Sequence, residues 1–191
     1  MQNLVPLSKT QARSLAQSIK PERGALSAES DAALRVFLTL PPYKSSNVVC
    51  CYASTDFEID TWQLMHRILR DGKRLCMPQI IGRHEMVMRE VTSLDGLKEG
   101  RFRIPEPSDD CPVVEKEEID LCVVPCVACG KNGVRLGRGA GFYDRYLEGT
   151  RFAKVALCAC ACLFDSIPSE KHDVGMDIIV SGGEVFYINE A

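Results

Sequence analysis

The sequence has little net charge and no long apolar run, and each absence excludes a class of protein. Its 23 Lys and Arg nearly balance its 26 Asp and Glu, so the formal net charge is −3. A chain without a broad basic field is poorly suited to bind a nucleic-acid backbone. The longest apolar run, residues 155–164, has ten residues, whereas a membrane-spanning helix needs about 20. We therefore expect neither a nucleic-acid nor a membrane partner.

The first residues also lack the pattern of a secretion signal. The start MQNLVPLSK has no charged region followed by a long apolar one. Neither an internal repeat, nor a low-complexity tract, nor a linker divides the 191 residues, and about 150 residues per domain is typical. We expect one domain, residues 1–191, in the cytoplasm.

Cysteine is abundant, with ten of the 191 residues. This fraction, about 5%, is below the roughly 8–10% typical of short disulfide scaffolds. Most of the cysteines lie in apolar runs, where a reduced thiol packs as a small core side chain. Seven fall in segments predicted to be strands: Cys50, Cys51, Cys76, Cys122, Cys158, Cys160 and Cys162. The last three alternate, which places them on one face of their strand.

Apolar spacing, caps and turn residues predict an alternation of helices and strands. The predicted helices span residues 8–20, 27–40, 61–70 and 143–147. The predicted strands span residues 47–53, 73–80, 85–91, 119–125, 153–163, 176–180 and 184–188. This order favours an α/β three-layer domain with a largely parallel central sheet flanked by helices.

The most informative segment is GVRLGRGAGFYDRY, residues 133–146, which lies between a predicted strand and a predicted helix. Three glycines alternate within it: Gly137, Gly139 and Gly141. Glycine permits positive φ and close approach of the backbone to a ligand, so the segment could cradle phosphates. Arg135 and Arg138 would add forked hydrogen bonds to phosphate oxygens, and Asp144 is a carboxylate of the kind that holds magnesium. The plainer alternative is an exposed turn, because the segment matches neither the P-loop nor the dinucleotide fingerprint.

The longer block VPCVACGKNGVRLGRGAGFYDRYL resembles the signature of the 5-formyltetrahydrofolate cyclo-ligase (5,10-methenyltetrahydrofolate synthetase) family, which is close to VPGxAFDxxGxRLGxGxGYYDRxL. The likeness covers nearly the whole chain, from the first predicted helix to PSEKHDVGMD at residues 168–177. Three departures are local: Cys126 replaces a Gly, Cys129 and Gly130 replace Phe-Asp, and Ala140 replaces a common Lys.

The resemblance implies an enzyme of folate one-carbon metabolism that uses ATP and Mg²⁺ to convert 5-formyltetrahydrofolate into 5,10-methenyltetrahydrofolate, releasing ADP and phosphate. The residues it assigns to ATP are Lys9, Arg13, Arg135, Leu136, Gly137, Arg138, Gly139, Ala140, Gly141, Phe142 and Tyr143. It assigns Ala53, Glu58 and Tyr143 to the folate, and Asp144 and Asp177 to magnesium. It makes Arg135, Tyr143 and Asp144 the catalytic residues. The implied partners of the protein are its small-molecule substrates. We expect a monomer, and an oligomer stays open.

The residues themselves leave plainer roles open. Lys9 and Arg13 could form a solvated helix face. Glu58 could lie exposed in its acidic loop or cap the following helix, and Asp177 could serve only in a turn.

Two other classes of function also stay open. One is a folate or nucleotide binder without turnover, which the departures at Gly130 and Ala140 would suit. The other is a metal or redox protein built on the Cys-x-x-Cys spacing of Cys126 and Cys129. A structural zinc site normally has four ligands, and the chain has no second Cys-x-x-Cys.

Overall fold

An eight-stranded sheet forms the centre of the structure, a computed structural model that describes residues 8–19 and 23–188. The strands are β1 (Val48–Cys50), β2 (Arg74–Ile80), β3 (Met86–Val91), β4 (Lys98–Glu99), β5 (Pro105–Glu106), β6 (Val113–Val114), β7 (Leu121–Val124), β8 (Ala128–Gly130), β9 (Arg135–Leu136), β10 (Ala153–Leu157), β11 (Leu163–Phe164), β12 (Ile178–Ser181) and β13 (Glu184–Tyr187). The helices are α1 (Lys9–Ser18), α2 (Arg23–Phe37), α3 (Pro41–Ser45), α4 (Trp62–Arg70) and α5 (Phe142–Leu147). Short 3₁₀ turns lie at Arg101–Arg103, Lys116–Glu118 and Cys160–Cys162.

The order of the large sheet is β13-β12-β10-β7-β1-β2-β3-β6. Its five inner strands, from β12 to β2, are parallel, and antiparallel strands complete both edges. All four residues of β7 are buried, as expected for a strand covered on both faces of a parallel sheet. Helix α2 packs on β12 and β13, and α4 packs on β2. The predicted α/β class with a largely parallel central sheet is confirmed.

The first two helices follow the sequence signals with one difference in length. Ser8 caps α1 in a capping box with Gln11, as its position before the helix predicts. Lys20 and Pro21 lie outside the described residues. Helix α2 begins at Arg23, before the predicted cap at residue 27. Leu26 is buried in the core and its carbonyl accepts a hydrogen bond from Ser30 at 2.7 Å, so core packing extends the helix toward its N-terminus.

The prolines at residues 41 and 42 do not simply end α2. The helix stops at Phe37, and Pro41 begins the short helix α3. Proline is accepted in a first helical turn because the N–H it lacks would have no helical partner there.

The predicted strand over residues 153–163 is wrong beyond Leu157. The N–H of Cys158 still bonds the carbonyl of Val180 in the sheet, but the N–H of Cys160 donates to the Glu29 carboxylate at 2.8 Å. This contact with α2 turns the chain out of the sheet into a 3₁₀ turn. Cys158, Cys160 and Cys162 therefore do not share a strand face: Cys160 is exposed, and the other two are buried.

The glycine-rich segment contains more regular structure than predicted. Strands β8 and β9 flank a turn at Gly133, whose φ is +85°, and β11 joins them in a small three-stranded sheet. In the part of the chain that is described, no helix combines the length and the apolarity needed to cross a membrane.

Candidate active site

A cleft with a volume of about 830 Å³ opens where the inner strands of the sheet end. Tyr52 and Ala53 lie just beyond β1, and Pro125 and Cys126 just beyond β7; all four line the cleft. Because β1 and β7 are adjacent and parallel, their carboxyl ends meet at one edge of the sheet. Ligands of open α/β sheets bind at this edge.

The cleft collects all but one of the residues that the sequence assigned to a site. They are Lys9, Arg13, Ala53, Glu58, Arg135, Leu136, Gly137, Arg138, Gly139, Ala140, Gly141, Phe142, Tyr143 and Asp144. These residues come from α1, from the loop after β1, and from the segment joining β9 to α5.

Asp177 is the exception. Its carboxylate accepts the backbone N–H of Lys154 at 2.8 Å and pairs with the Lys154 ammonium at 3.0 Å. Both residues lie at the amino ends of parallel strands, β12 and β10, which is the edge opposite the cleft. The structure does not bring Asp177 to Asp144, and this corrects the prediction that the two share a magnesium ion. Asp177 instead holds the start of β12 against β10 through its contacts with Lys154.

Arg135 and Asp144 form an ion pair of the cleft in which the arginine is almost fully buried. Nη2 of Arg135 lies 2.7 Å from Oδ1 of Asp144, and only 3% of the arginine side chain is exposed, against 27% for the aspartate. Nη1 donates to the carbonyl of Pro125 at 3.2 Å. The buried Nε of Arg135 has no hydrogen-bond partner among the described residues. The guanidinium is therefore held rigidly and keeps an unused donor.

Two of the three alternating glycines of the glycine loop, residues 136–143, adopt a positive φ, and Gly137 does not. Gly139 and Gly141 have φ of +97° and +68°, and Gly141 is the N-cap residue of α5. A side chain at Gly141 would also place its Cβ 2.7 Å from Nη1 of Arg145. Nε of Arg13 donates to the carbonyl of Gly137 at 3.1 Å, so α1 holds the loop from outside.

Lys9 is not a solvated helix-face residue. Its ammonium pairs with Asp173 and lies 3.1 Å from Glu170, and only 13% of its side chain is exposed. The two carboxylates neutralise it in this structure, so an anionic ligand would compete with them for its charge.

Glu58 is an almost buried carboxylate, with 10% of its side chain exposed. Oε2 accepts the backbone N–H of Thr55 at 2.8 Å and its hydroxyl at 2.9 Å. Arg138 lies 3.6 Å from Oε1 and donates to the Thr55 hydroxyl at 2.8 Å. Burial raises the pKa of the Glu58 carboxyl, while the Thr55 hydrogen bond and the Arg138 charge oppose that rise. Arg138, predicted to bind phosphate, thus reaches toward Glu58 here.

The model of the 5-formyltetrahydrofolate cyclo-ligase family matches residues 8–182, which includes every residue of this cleft. The chain belongs to the 5-formyltetrahydrofolate cyclo-ligase family. It is 30% identical over 180 residues to the 5-formyltetrahydrofolate cyclo-ligase of Escherichia coli, covering 88% of this chain and 98% of that one. It is 29% identical over 184 residues to the cyclo-ligase of Saccharomyces cerevisiae, covering 82% and 86%. The NMR structure of 5,10-methenyltetrahydrofolate synthetase from Aquifex aeolicus superposes with a TM-score of 0.85 at 29% identity, over 96% of this chain and 94% of that one.

Of the two carboxylates that the sequence analysis assigned to a divalent cation, only Asp144 lies in the cleft and is placed where it could hold one. Magnesium is commonly held by one or two carboxylates with substrate phosphates completing its shell. Oδ1 of Asp144 accepts from Arg135, and the side chain remains partly exposed at the glycine loop. Asp177 does not fit, because it is engaged with Lys154 at the opposite edge.

Sequence reasoning missed several residues of the cyclo-ligase cleft. Tyr52 lines it with a buried hydroxyl that has no partner among the described residues, and burial raises the pKa of that phenol. Phe102 is 61% exposed at the cleft and has a φ of +63°. Glu106 is buried there and accepts the N–H of Ile80 at 3.2 Å. The position of Tyr52 next to Ala53 was a usable signal, whereas the loop around Phe102 offered none.

Proposed function

We propose that the protein converts 5-formyltetrahydrofolate into 5,10-methenyltetrahydrofolate at the expense of ATP, with Mg²⁺, releasing ADP and phosphate. One observation carries the proposal. The glycine loop with the Arg135–Asp144 pair lies in the same cleft as the buried carboxylate of Glu58. An anion site and a site for a hydrogen-bond-donating ring are thus adjacent. Membership of the cyclo-ligase family supports the pairing of a folate with a nucleotide.

The loop over residues 136–143 is the end that we assign to ATP. Its positive-φ glycines allow the backbone to approach phosphates closely. Arg135, with its unused Nε, and Arg13, which contacts the carbonyl of Gly137, supply positive charge. Lys9 would join them by leaving Asp173 or Glu170. Asp144 would hold the magnesium ion, which neutralises phosphate charge when bound.

The Glu58 end is the one that we assign to the pterin of the folate. A carboxylate accepts paired hydrogen bonds from the N–H groups of a 2-amino-4-oxo ring. Thr55 fixes the orientation of Glu58 through two contacts to Oε2. Ala53 and Tyr52 would form the adjacent wall, and the buried Tyr52 hydroxyl, which lacks a hydrogen-bond partner among the described residues, would bond a ring atom.

The proposed reaction takes place where the ATP end and the folate end of the cleft meet. A formamide oxygen is a poor leaving group, so it first attacks the γ-phosphorus of ATP, and the bond from that phosphorus to the ADP oxygen breaks. N10 of the folate then attacks the formyl carbon and loses its proton, and the C–O bond breaks to release phosphate. The loop and Arg135 position the charges for the first step. Burial raises the pKa of Tyr143 well above its usual value, so this residue is a neutral phenol that can donate a hydrogen bond beside the formyl group.

The test is the appearance of the methenyl chromophore after the purified protein is mixed with 5-formyltetrahydrofolate, ATP and Mg²⁺. We expect product only when all three are present, with one ADP formed per product. A folded protein that binds ATP and the folate but yields no product would refute turnover and support a binding protein.

We propose further that the protein acts on small molecules as a single-domain monomer in the cytoplasm. Light scattering would test the monomer, and cell fractionation would test the location.

A further inference from the structure

Three cysteine sulfurs meet beside the cleft. Cys126, Cys129 and Cys158 have their Sγ atoms all within 4.8 Å of one another. Their exposed fractions are 7%, 0% and 1%, and Cys126 lines the cleft. All three are free thiols. The cluster is therefore nearly dry but has one side that a small ion in the cleft could reach.

The fold, not the Cys-x-x-Cys spacing alone, builds this thiol cluster. Cys126 follows β7, Cys129 lies in β8, and Cys158 follows β10. Strands β7 and β10 are adjacent and parallel, so their carboxyl ends deliver two of the cysteines to one place. The thiol of Cys126 lies 3.2 Å from the carbonyl of Leu157, which ties these two strand ends together. One ligand in a strand and two at the ends of paired strands are held more precisely than ligands on a long loop.

A buried positive charge lies next to the cluster. Nη1 of Arg135 donates to the carbonyl of Pro125, the residue before Cys126, and only 3% of the arginine side chain is exposed. A nearby guanidinium thus compensates for negative charge on the sulfurs.

We propose that Cys126, Cys129 and Cys158 form a three-thiolate site for a thiophilic divalent cation of the zinc class. Sulfurs about 2.3 Å from a tetrahedral zinc ion lie about 3.8 Å apart, so the cluster needs only a small contraction. Binding releases three protons to solvent, and three thiolates with one divalent cation carry a single negative charge, opposite in sign to Arg135. The open fourth position faces the cleft, where a water molecule completes the shell. Soft thiolate ligands select zinc over magnesium.

The chain contains a matched control in a second group of cysteines. Cys50 is paired in register with Cys76 on one side and Cys122 on the other, and all three are at most 1% exposed. They form a row across three strands, so the Cα atoms of Cys76 and Cys122 are about 9.6 Å apart at the usual strand spacing. Unlike the sulfurs of the cluster, their three Sγ atoms do not all lie within 4.8 Å of one another.

The test is anaerobic titration of the reduced, full-length protein with Co²⁺ as the spectroscopic probe, followed by displacement with Zn²⁺. We expect one Co²⁺ per chain, a thiolate-to-cobalt charge-transfer band, and loss of that band when Zn²⁺ is added. Cys158→Ser should weaken binding at least about tenfold, and Cys126→Ser, at the cleft edge, provides a second variant. Cys76→Ser should leave the affinity unchanged.

Three results would each overturn the proposal. The first is absence of a stoichiometric band with the reduced wild-type protein, which requires no variant to fold. The second is equal loss of affinity in Cys76→Ser and Cys158→Ser. The third is a thiol count showing a disulfide within the cluster in protein purified without reductant, with no metal bound. None of these readouts involves turnover, so they stand apart from the proposed enzyme activity.

Discussion

Replacing Asp144 by asparagine removes one negative charge from the centre of the cleft and almost no volume. In the parent chain, Oδ1 of Asp144 lies 2.7 Å from Nη2 of an Arg135 side chain that is 3% exposed. In Asp144→Asn the guanidinium keeps the carbonyl of Pro125 as an acceptor but loses its counter-ion. The variant therefore tests both halves of the proposed role, the holding of Arg135 and the holding of magnesium.

The expected magnitudes follow from burial. A hydrogen bond to a charged group contributes about 1.5–3 kcal/mol, and the 27% exposure of Asp144 places the loss of stability near the lower end. For a chain of this size, that corresponds to a decrease in Tm of roughly 3–6 °C. Loss of one preorganised electrostatic contact at a reacting phosphate lowers kcat by about 10²–10³. The loss of activity should thus greatly exceed what partial unfolding explains.

The assay is formation of the methenyl chromophore at several Mg²⁺ concentrations, at a temperature where both proteins are folded by circular dichroism. Asp177→Asn is the matched control, because it removes the same charge from the pair with Lys154 at the opposite edge of the sheet. We expect the control to lose some stability and to keep its turnover and Mg²⁺ dependence. Equal losses of turnover in the two variants, or an Asp144→Asn enzyme with unchanged Mg²⁺ dependence, would show that Asp144 does not hold the magnesium ion.

Three further predictions concern other parts of the cleft. Burial raises the pKa of Glu58 above 4.5, so the folded protein binds the carboxyl proton more tightly than the unfolded chain does. The protonated side chain therefore contributes its full stability below pH 4.5, and that contribution is lost as pH rises through the raised pKa. Urea unfolding should therefore show Glu58→Gln gaining stability relative to the parent chain as pH increases above 4.5; a flat difference would contradict this. Gly139→Ala and Gly149→Ala, at φ of +97° and +72° with open space around each, should each lose about 1–2 kcal/mol, but only the first should raise the KM for ATP. Tyr52→Phe should keep its free energy of unfolding while raising the KM for the folate. Tyr43→Phe should lose about 1.5 kcal/mol with its 2.7 Å bond to the Asp71 carboxylate; equal destabilisation would count against an unpaired Tyr52 hydroxyl.

Much of the fold could be predicted because local sequence signals agree with the tertiary structure. The apolar run over residues 119–125 predicts a doubly covered strand, and β7 is buried along its whole length. Ser8 with Gln11 predicts the start of α1. The alternation of Cys158, Cys160 and Cys162 misled the prediction because the contact from Glu29 on α2 to the N–H of Cys160 ends the strand. That contact joins residues far apart in sequence.

The same division applies to the candidate site. Gly139 and Gly141 adopt the positive φ that glycine permits, because backbone freedom is a local property. The partner of each charged side chain is not local. Arg138 reaches the loop of Glu58, and Asp177 is engaged by a lysine on a neighbouring strand. Such pairs depend on strand order, which the sequence pattern alone leaves open.

The proposed reaction phosphorylates the formyl oxygen of the folate, and this oxygen leaves as phosphate. An isotope experiment tests this step directly: 5-formyltetrahydrofolate labelled with ¹⁸O in the formyl group is mixed with the protein, ATP and Mg²⁺, and the products are analysed by mass spectrometry. We expect methenyltetrahydrofolate without label and inorganic phosphate carrying one labelled oxygen for each product formed. Label recovered in water or formate, or product formed without ATP, would contradict it.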